Sequence, residues 1–299
     1  MSFCAQAKQE LCRLSVGRHC CVRAEVYGAL LFGYAFRPDE VRVVTENGAL
    51  AARLKLLFGR LFGFDFDQRA GRPDVGKHTL VLSDRGKLAA LFETFGYGGS
   101  PDVALHLNNA VLENDCCAAA FLRGAFLTGG SVTDPEKKYH LELGTPRAHV
   151  GRETITLLRE MDFAPSLTAR AGHTVLYLKA SEQIEDFLTT VGASQAALAL
   201  METTVEKDLR NRINRKVNCE TANLSKTVEA AMRQTEAIRR LRESPLWETL
   251  PAPLRETADM RLAHPEEPLA ELCALFDPPL GRSGLNHRLR RLRELAEDR

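Results

Sequence analysis

The chain has 299 residues, 44% of them hydrophobic, and 40 Lys and Arg stand against 39 Asp and Glu for a formal net charge of +1. That length exceeds one ordinary core and predicts two domains or more, and the balanced charge excludes a global field drawing the chain onto nucleic acid or membrane, so any such attraction must be local. No apolar run approaches the roughly 20 residues needed to span a bilayer, and the opening MSFCAQAKQE lacks a signal-peptide core, which predicts a cytoplasmic protein with no membrane partner.

In chain order, the first half reads as a helix over 20–34, a strand over 41–45, a helix over 50–61 with Leu50, Leu54, Leu57, Phe58 and Leu61 at helical spacing, a strand over 78–82 and a helix over 87–95. Pro101 and the polar run 108–115 lie near a joint. The second half repeats the order with a helix over 116–128, a strand over 139–143, a helix over 152–161, a strand over 174–178 and a helix over 182–191. The letters repeat too. FLRGAFLTGG at 121–130 is an imperfect copy of EVYGALLFGY at 25–34, with Gly124-Ala125 matching Gly28-Ala29 and Gly129 matching Gly33 at an offset of 96. HTVLYLK at 173–179 follows HTLVLS at 78–83 at 95, which makes His78 and His173 the structural starts of equivalent strands, and Gly192 closes a helical run as Gly96 does. Two copies at one long period predict a pseudo-two-fold domain, because solenoid units are shorter and need at least three copies to bury a core.

Beyond about Ala193 the sequence turns continuously helix-forming. Residues 207–242 hold ten Lys or Arg and four acids, a local net of +6, so this is a basic helical linker. Lys207, Arg210, Arg212, Arg215 and Lys216 are candidate phosphate contacts, with Asn214, Asn218, Thr221 and Asn223 as further hydrogen-bonding groups. The same stretch also reads as a kink between two helices, with Asn218 or Thr221 as N-cap. Pro245, Pro251 and Pro253 then break the helix.

In the last unit, Leu254, Ala258, Met260 and Leu262 predict one apolar face of a helix that His264-Pro265 ends. Pro268 opens a short helix (LAELCALF), 277–281 forms a turn, and Ser283 is the expected cap of a third helix: the helix-turn-helix plan. Leu285, Leu289, Leu292 and Leu295 line one face of the third helix and are core. The opposite face leaves Arg282, Ser283, Asn286, His287, Arg288, Arg290, Arg291 and Arg293 as candidate DNA-binding residues. Five arginines and no acid fall within 282–293, although the unit from Trp247 onward has eight Lys or Arg against ten acids. The charge is concentrated where a recognition helix enters the major groove, and arginine reads guanine or phosphate bidentately as asparagine reads adenine.

The eight cysteines include two directly adjacent pairs, Cys20-Cys21 and Cys116-Cys117, and no C-x-x-C. Adjacent thiols rarely chelate one metal, and the spacing suits neither zinc nor a disulfide framework, so they are read as small buried thiols, with no metal and no cofactor.

Three strings now carry a resemblance: RGAFLTGGSVTDPEKKYHLEL at 123–143, NRKVNCETANLSKTVEAA at 214–231 and GRSGLNHRLRRL at 281–292. Together they resemble the WhiA family over nearly the whole chain. The resemblance implies a homing-endonuclease-like domain of the LAGLIDADG type fused to a helix-turn-helix, acting as a transcription regulator in sporulation or in cell division and chromosome segregation. Endonucleases of that type hold a catalytic metal on an acidic residue near the end of one helix per half. Laid on this chain, those positions are Gly33 and Gly129, which cannot ligate a cation, while the helix-packing glycines survive at Gly28 and Gly124. Asp134 and Glu136 are read as a polar turn rather than substitute ligands.

The expected fold is therefore α+β: a first half over 1–110, a second over 111–195, a basic helical linker over 196–245 and an all-α helix-turn-helix over 246–299. The expected function is a DNA-binding regulator that is not an enzyme, with double-stranded DNA as partner, an RNA polymerase sigma factor or another regulator as a second partner, and a place on the nucleoid. Two rivals stand beside it: an active homing-type endonuclease, and a protein-interaction module docking on RNA polymerase or its sigma factor.

Overall fold

The computed structural model describes residues 1–72, 75–98 and 104–297; Pro101 lies outside them. The chain divides into two compact units, 1–207 and 208–299.

The first unit opens with a helix that the sequence reading did not include, α1 (Phe3–Arg13), capped by Ser2 and burying Ala7 and Leu11. The first repeat follows as α2 (His19–Leu31), β1 (Ala35–Arg37), β2 (Glu40–Thr45), α3 (Gly48–Phe62), β3 (Gln68–Arg72), β4 (Val75–Leu82) and α4 (Arg85–Thr94). The second is α5 (Asp115–Gly129), β5 (Gly130–Val132), β6 (Leu141–Thr145), α6 (Ala148–Glu160), β7 (Ser166–Arg170), β8 (His173–Leu178) and α7 (Ser181–Val191). Each repeat builds a four-stranded antiparallel sheet, ordered β1-β2-β4-β3 and β5-β6-β8-β7. Local sequence sets the helix ends: the Asn47 side chain accepts the Ala49 and Leu50 N–H groups to start α3, and Gly63, at φ 75°, takes the left-handed conformation that stops it.

At the centre lie α2 and α5, buried almost all round: eight consecutive residues of α2 from Ala24 to Leu31 are inaccessible, as are Phe121, Leu122 and the run from Gly124 to Leu127 in α5. Their contact is reciprocal. A Cβ on Gly28 would stand 2.1 Å from the Phe121 carbonyl oxygen, and one on Gly124 would stand 2.0 Å from that of Glu25. Since 25 and 121, like 28 and 124, differ by 96, this is the isologous contact of a two-fold axis inside one chain.

The sheets correct one step of the sequence alignment. Val41 pairs with Leu82 in the first and Leu141 with Leu178 in the second, so the β4–β8 offset is 96, not 95, and His78 is equivalent to Thr174 rather than His173. A one-residue slip in a strand moves a side chain to the other face, and accordingly His78 is buried whereas His173 is exposed. Strand β6 likewise begins at Leu141, two residues after the expected start.

Symmetry breaks at Glu25, which is 3% exposed and whose repeat counterpart is Phe121. Arg53 of α3 donates to it from Nε at 2.5 Å and Nη2 at 2.9 Å, and Arg123 of α5 donates from Nη1 at 3.2 Å while its Nε reaches the Val191 carbonyl at 2.6 Å. A buried pair of this kind costs about 3–5 kcal/mol when one partner is removed, because a charge is left uncompensated.

The cysteines depart from the expectation of separate, buried thiols. Only Cys117 and Cys273 are buried and Cys219 is exposed. The two adjacent pairs come together in the first turns of α2 and α5, with Sγ atoms of Cys20, Cys21 and Cys116 all within 4.8 Å of one another.

The next helix, α8 (Ser194–Arg242), is unbroken, which corrects the expected kink: Asn218 and Thr221 sit inside it and cap nothing. The division between the compact units falls within α8, after Lys207. In the second unit, a single 3₁₀ turn (Pro245–Thr249) leads to α9 (Ala252–Ala263), α10 (Leu269–Ala274) and α11 (Arg282–Glu297). Ile238, Leu241, Leu250, Ala258, Leu272, Phe276, Leu285, Leu289 and Leu292 form its core. Of the apolar face expected on α9, Ala258 alone is fully buried, and its neighbours inside are Thr257 and Arg261. No helix among the described residues is long and apolar enough to cross a membrane.

Candidate nucleic-acid interface

The three-helix arrangement of α9, α10 and α11 presents α11 by its polar side. Leu285, Leu289 and Leu292 recur at three- and four-residue steps and are buried, so the side of the wheel opposite them faces water. Arg282, Ser283, Asn286, His287, Arg290, Arg291 and Arg293 are all exposed. These are the side chains a major groove would meet.

Two expectations on this helix need correction. Ser283 is not the cap: α11 starts at Arg282, and the Gly281 carbonyl accepts the first helical bond from Leu285 N–H at 3.0 Å. Arg288 belongs to the packing side. It is half-buried against α9, with Nη1 3.4 Å from the Pro253 carbonyl, 3.5 Å from Thr257 Oγ1 and 3.9 Å from a Glu256 carboxylate oxygen.

The remaining arginines are partnered within the helix. Arg290 and Arg291 both reach Glu294, at 2.9 and 3.4 Å, and Arg293 reaches Glu297 at 3.4 Å. The hydrogen bond from Arg290, aided by Arg291, holds the Glu294 carboxyl below its ordinary range. Both acids lie just beyond the acid-free stretch 282–293. Exposed pairs of this spacing contribute little.

What holds the unit in shape is a residue that composition and spacing leave inconspicuous. Arg261 is 1% exposed, and its Nη1 donates to the His264 carbonyl at 3.2 Å and the Glu267 carbonyl at 2.8 Å, tying down the turn between α9 and α10. Burial pushes its pKa down. The signal available in sequence was its position one helical turn after Ala258, on the buried face.

Among the linker candidates, Arg210, Arg212, Arg215 and Lys216 are exposed along α8. Lys207 is not free: its Nζ donates to the Pro135 carbonyl at 2.5 Å and stands 5.1 Å from the centre of the Tyr139 ring, within the first unit.

In the duplicated domain, the positions implied for catalytic acids have no room for a side chain. A Cβ on Gly129 would lie 2.4 Å from the Gly144 carbonyl oxygen, and one on Gly33 would lie 2.9 Å from that of Ala29. The C-terminal end of α2 meets a cation: Arg147 Nη1 donates to the carbonyls of Leu31 at 2.9 Å and Gly33 at 3.1 Å, and burial pushes its pKa down to about 10. Asp134 makes the expected polar turn, its Oδ1 accepting Glu136 N–H at 3.0 Å.

Comparison with known proteins agrees with both halves of this description. Residues 118–210 match the WhiA LAGLIDADG-like domain and residues 213–296 the WhiA C-terminal HTH domain. Among relatives, a probable cell division protein WhiA of Ruminiclostridium cellulolyticum is 39% identical, covering 99% of this chain and 97% of its own, and one of Moorella thermoacetica is 40% identical, covering 99% and 92%. The crystal structure of full-length DUF199/WhiA from Thermatoga maritima superposes with a TM-score of 0.61 at 24% identity, covering 99% of this chain and 98% of that one, and so shares its fold.

Proposed function

The chain belongs to the WhiA family, and from that premise we propose that it is a non-catalytic, DNA-binding regulator that acts in cell division on the nucleoid. The relatives named as cell division proteins supply the process. The molecular activity rests on one observation: α11 exposes Arg282, Asn286, His287, Arg290, Arg291 and Arg293 together, on a helix whose opposite side is fixed in a core. Arg and Asn at successive turns of a groove-entering helix read base edges, while Arg210, Arg212, Arg215 and Lys216 hold phosphates without reading sequence. On this reading transcription of division, sporulation or chromosome-segregation genes is the output.

The absence of cleavage in this proposal rests on Gly33 and Gly129 and on the Arg147 guanidinium at the end of α2, since phosphodiester cleavage by two metals needs carboxylates there. The test is binding of the full chain to genomic fragments, with crosslinking of the tagged protein in cells, run beside incubation of supercoiled plasmid with magnesium. Sharp promoter peaks with intact plasmid support the proposal. No duplex binding refutes the DNA-binding part, and chelator-sensitive nicking refutes the non-catalytic part. Capture of polymerase or sigma factor that survives nuclease treatment, without promoter binding, replaces it by an interaction module.

A further inference from the structure

The duplication places two adjacent cysteine pairs in register: Cys20 and Cys21 in the first turn of α2, and Cys116 and Cys117 in the first turn of α5, each 96 residues apart. Because α2 and α5 pack reciprocally, their N-terminal turns converge, and the Sγ atoms of Cys20, Cys21 and Cys116 come within 4.8 Å of one another. We propose that Cys20, Cys21 and Cys116 form a three-thiolate site for one soft metal ion, zinc in the divalent case, with water as the fourth ligand.

The geometry is near what such an ion requires. Sulfurs at about 2.3 Å from a tetrahedral zinc lie roughly 3.8 Å apart, so a contraction of about 1 Å among these three half-buried side chains brings them onto one ion. Adjacent cysteines of one helix cannot surround an ion alone, but Cys116 of α5 approaches it from the side opposite Cys20 and Cys21 of α2.

The electrostatics favour the charged set. A three-thiolate zinc site carries one net negative charge, and here it would face the N-terminal ends of two helices of 13 and 15 residues, each with its unpaired N–H groups and positive dipole end. Arg18 stands over the site, its Nη2 2.9 Å from the Cys116 sulfur. Metal binding releases the thiol protons. Cys20, Cys21 and Cys116 are reached by solvent, which gives the ion an entry path.

The experiment uses the full chain, reduced with a thiol-free phosphine. Cobalt titration is expected to produce the intense visible bands of tetrahedral thiolate coordination, saturating at one ion per chain and bleached by one equivalent of zinc. Cys20→Ser and Cys116→Ser should each abolish the stoichiometric signal, Cys219→Ser should leave it unchanged, and Arg18→Ala should weaken binding about 10- to 100-fold as a loss of outer-shell support. Where a serine variant fails to fold, alkylation of the wild type read by mass spectrometry replaces it: zinc should protect Cys20, Cys21 and Cys116 together while Cys219 labels freely. No thiolate bands, protection of Cys219 alone, or binding that survives the Cys20→Ser/Cys116→Ser double variant would overturn the proposal.

Discussion

Replacing Gly28 or Gly124 by alanine tests the central claim about the duplicated domain, that α2 and α5 form one reciprocal contact. At either site the added methyl group would stand 2.0–2.1 Å from a backbone carbonyl oxygen, more than 1 Å inside the 3.4 Å of ordinary contact, and no side-chain rotation can relieve it. The helices must move apart, and overpacking of this kind costs about 1–3 kcal/mol; with backbone on both sides we expect the upper end, about 3 kcal/mol at each site. For a unit of 207 residues, at about 2–4 °C per kcal/mol, the melting transition of the first unit should fall by about 6–12 °C. The symmetry sharpens the expectation. The two single variants should cost the same within error, and the double variant less than their sum, because the first separation already makes room for the second. Gly59→Ala in α3, where a Cβ meets nothing within 4 Å, should instead stabilise by about 0.5–1 kcal/mol through helix propensity. Thermal melting followed by circular dichroism, with calorimetry to separate the two units, reads all four proteins. A cost below about 1 kcal/mol at Gly28, or a clear inequality between Gly28 and Gly124, would refute the reciprocal contact.

Three further outcomes follow from the interface and the charges. Arg290→Ala/Arg291→Ala should keep its melting profile and lose about 1–3 kcal/mol of duplex affinity per base-reading side chain, whereas Leu289→Ala should destabilise the second unit by about 2–5 kcal/mol; unchanged promoter affinity in the folded double variant counts against α11 as the reading helix. Arg212→Ala/Arg215→Ala should weaken cognate and scrambled duplexes alike and flatten the slope of log affinity against log salt by about 0.9 for each phosphate no longer neutralised, and an unchanged slope in a salt titration removes those arginines from the interface. Partial burial pushes the Asp67 carboxyl up, but hydrogen bonds from Lys87 Nζ and the Ser83 and Asp84 N–H groups hold it down at about 2. A folded-state value below the unfolded one means its stabilisation is complete above about pH 4 and lost as pH falls through about 2, so Asp67→Asn should remove that component of acid unfolding, and acid melts of equal steepness would refute it.

Much of the fold was legible because burial leaves periodic marks. The central helices, the sheets' inner strands and the leucine stripe of α11 all announce themselves in apolar spacing. Among the elements missed, β7 has all five residues exposed, and β1 and β5 are three residues long, too short for an alternation to register, whereas α1 did carry the mark, with Phe3, Ala7 and Leu11 four residues apart. The unbroken course of α8 was obscured because Asn218 and Thr221 are common caps that here simply face water. At the candidate interface the exposed arginines could be read from the wheel, but Arg288 could not, since only the position of α9 decides that its side of the helix is the packed one. Glu25, Arg53 and Arg123 lie far apart in sequence and become a network only when three helices meet. Of the cysteines read as small buried thiols, only Cys117 and Cys273 are buried, and the offset of 96 that aligned the glycines also aligns the two adjacent pairs.

The ends of the α2–α5 pair show what the duplication preserves and what it changes. A parallel pair of helices offers positive dipole ends on one side and negative ends on the other. On the N-terminal side stand the thiols of the proposed metal site, whose metal-bound thiolates would carry the complementary charge; on the C-terminal side of α2 stands the Arg147 guanidinium, bound to the carbonyls that end the helix. A catalytic arrangement inverts this second choice, gathering carboxylates at the C-terminal ends against their own dipoles and relying on bound cations to offset the repulsion. With Gly33 and Gly129 in place of acids, that cation is unnecessary, and a fixed arginine stabilises the helix end instead. On the proposed function, the pair serves for its packing, which Gly28 and Gly124 enforce, and the end of α2 is held by Arg147. On the proposed function, this is how a nuclease-like scaffold serves a protein that holds DNA without cutting it.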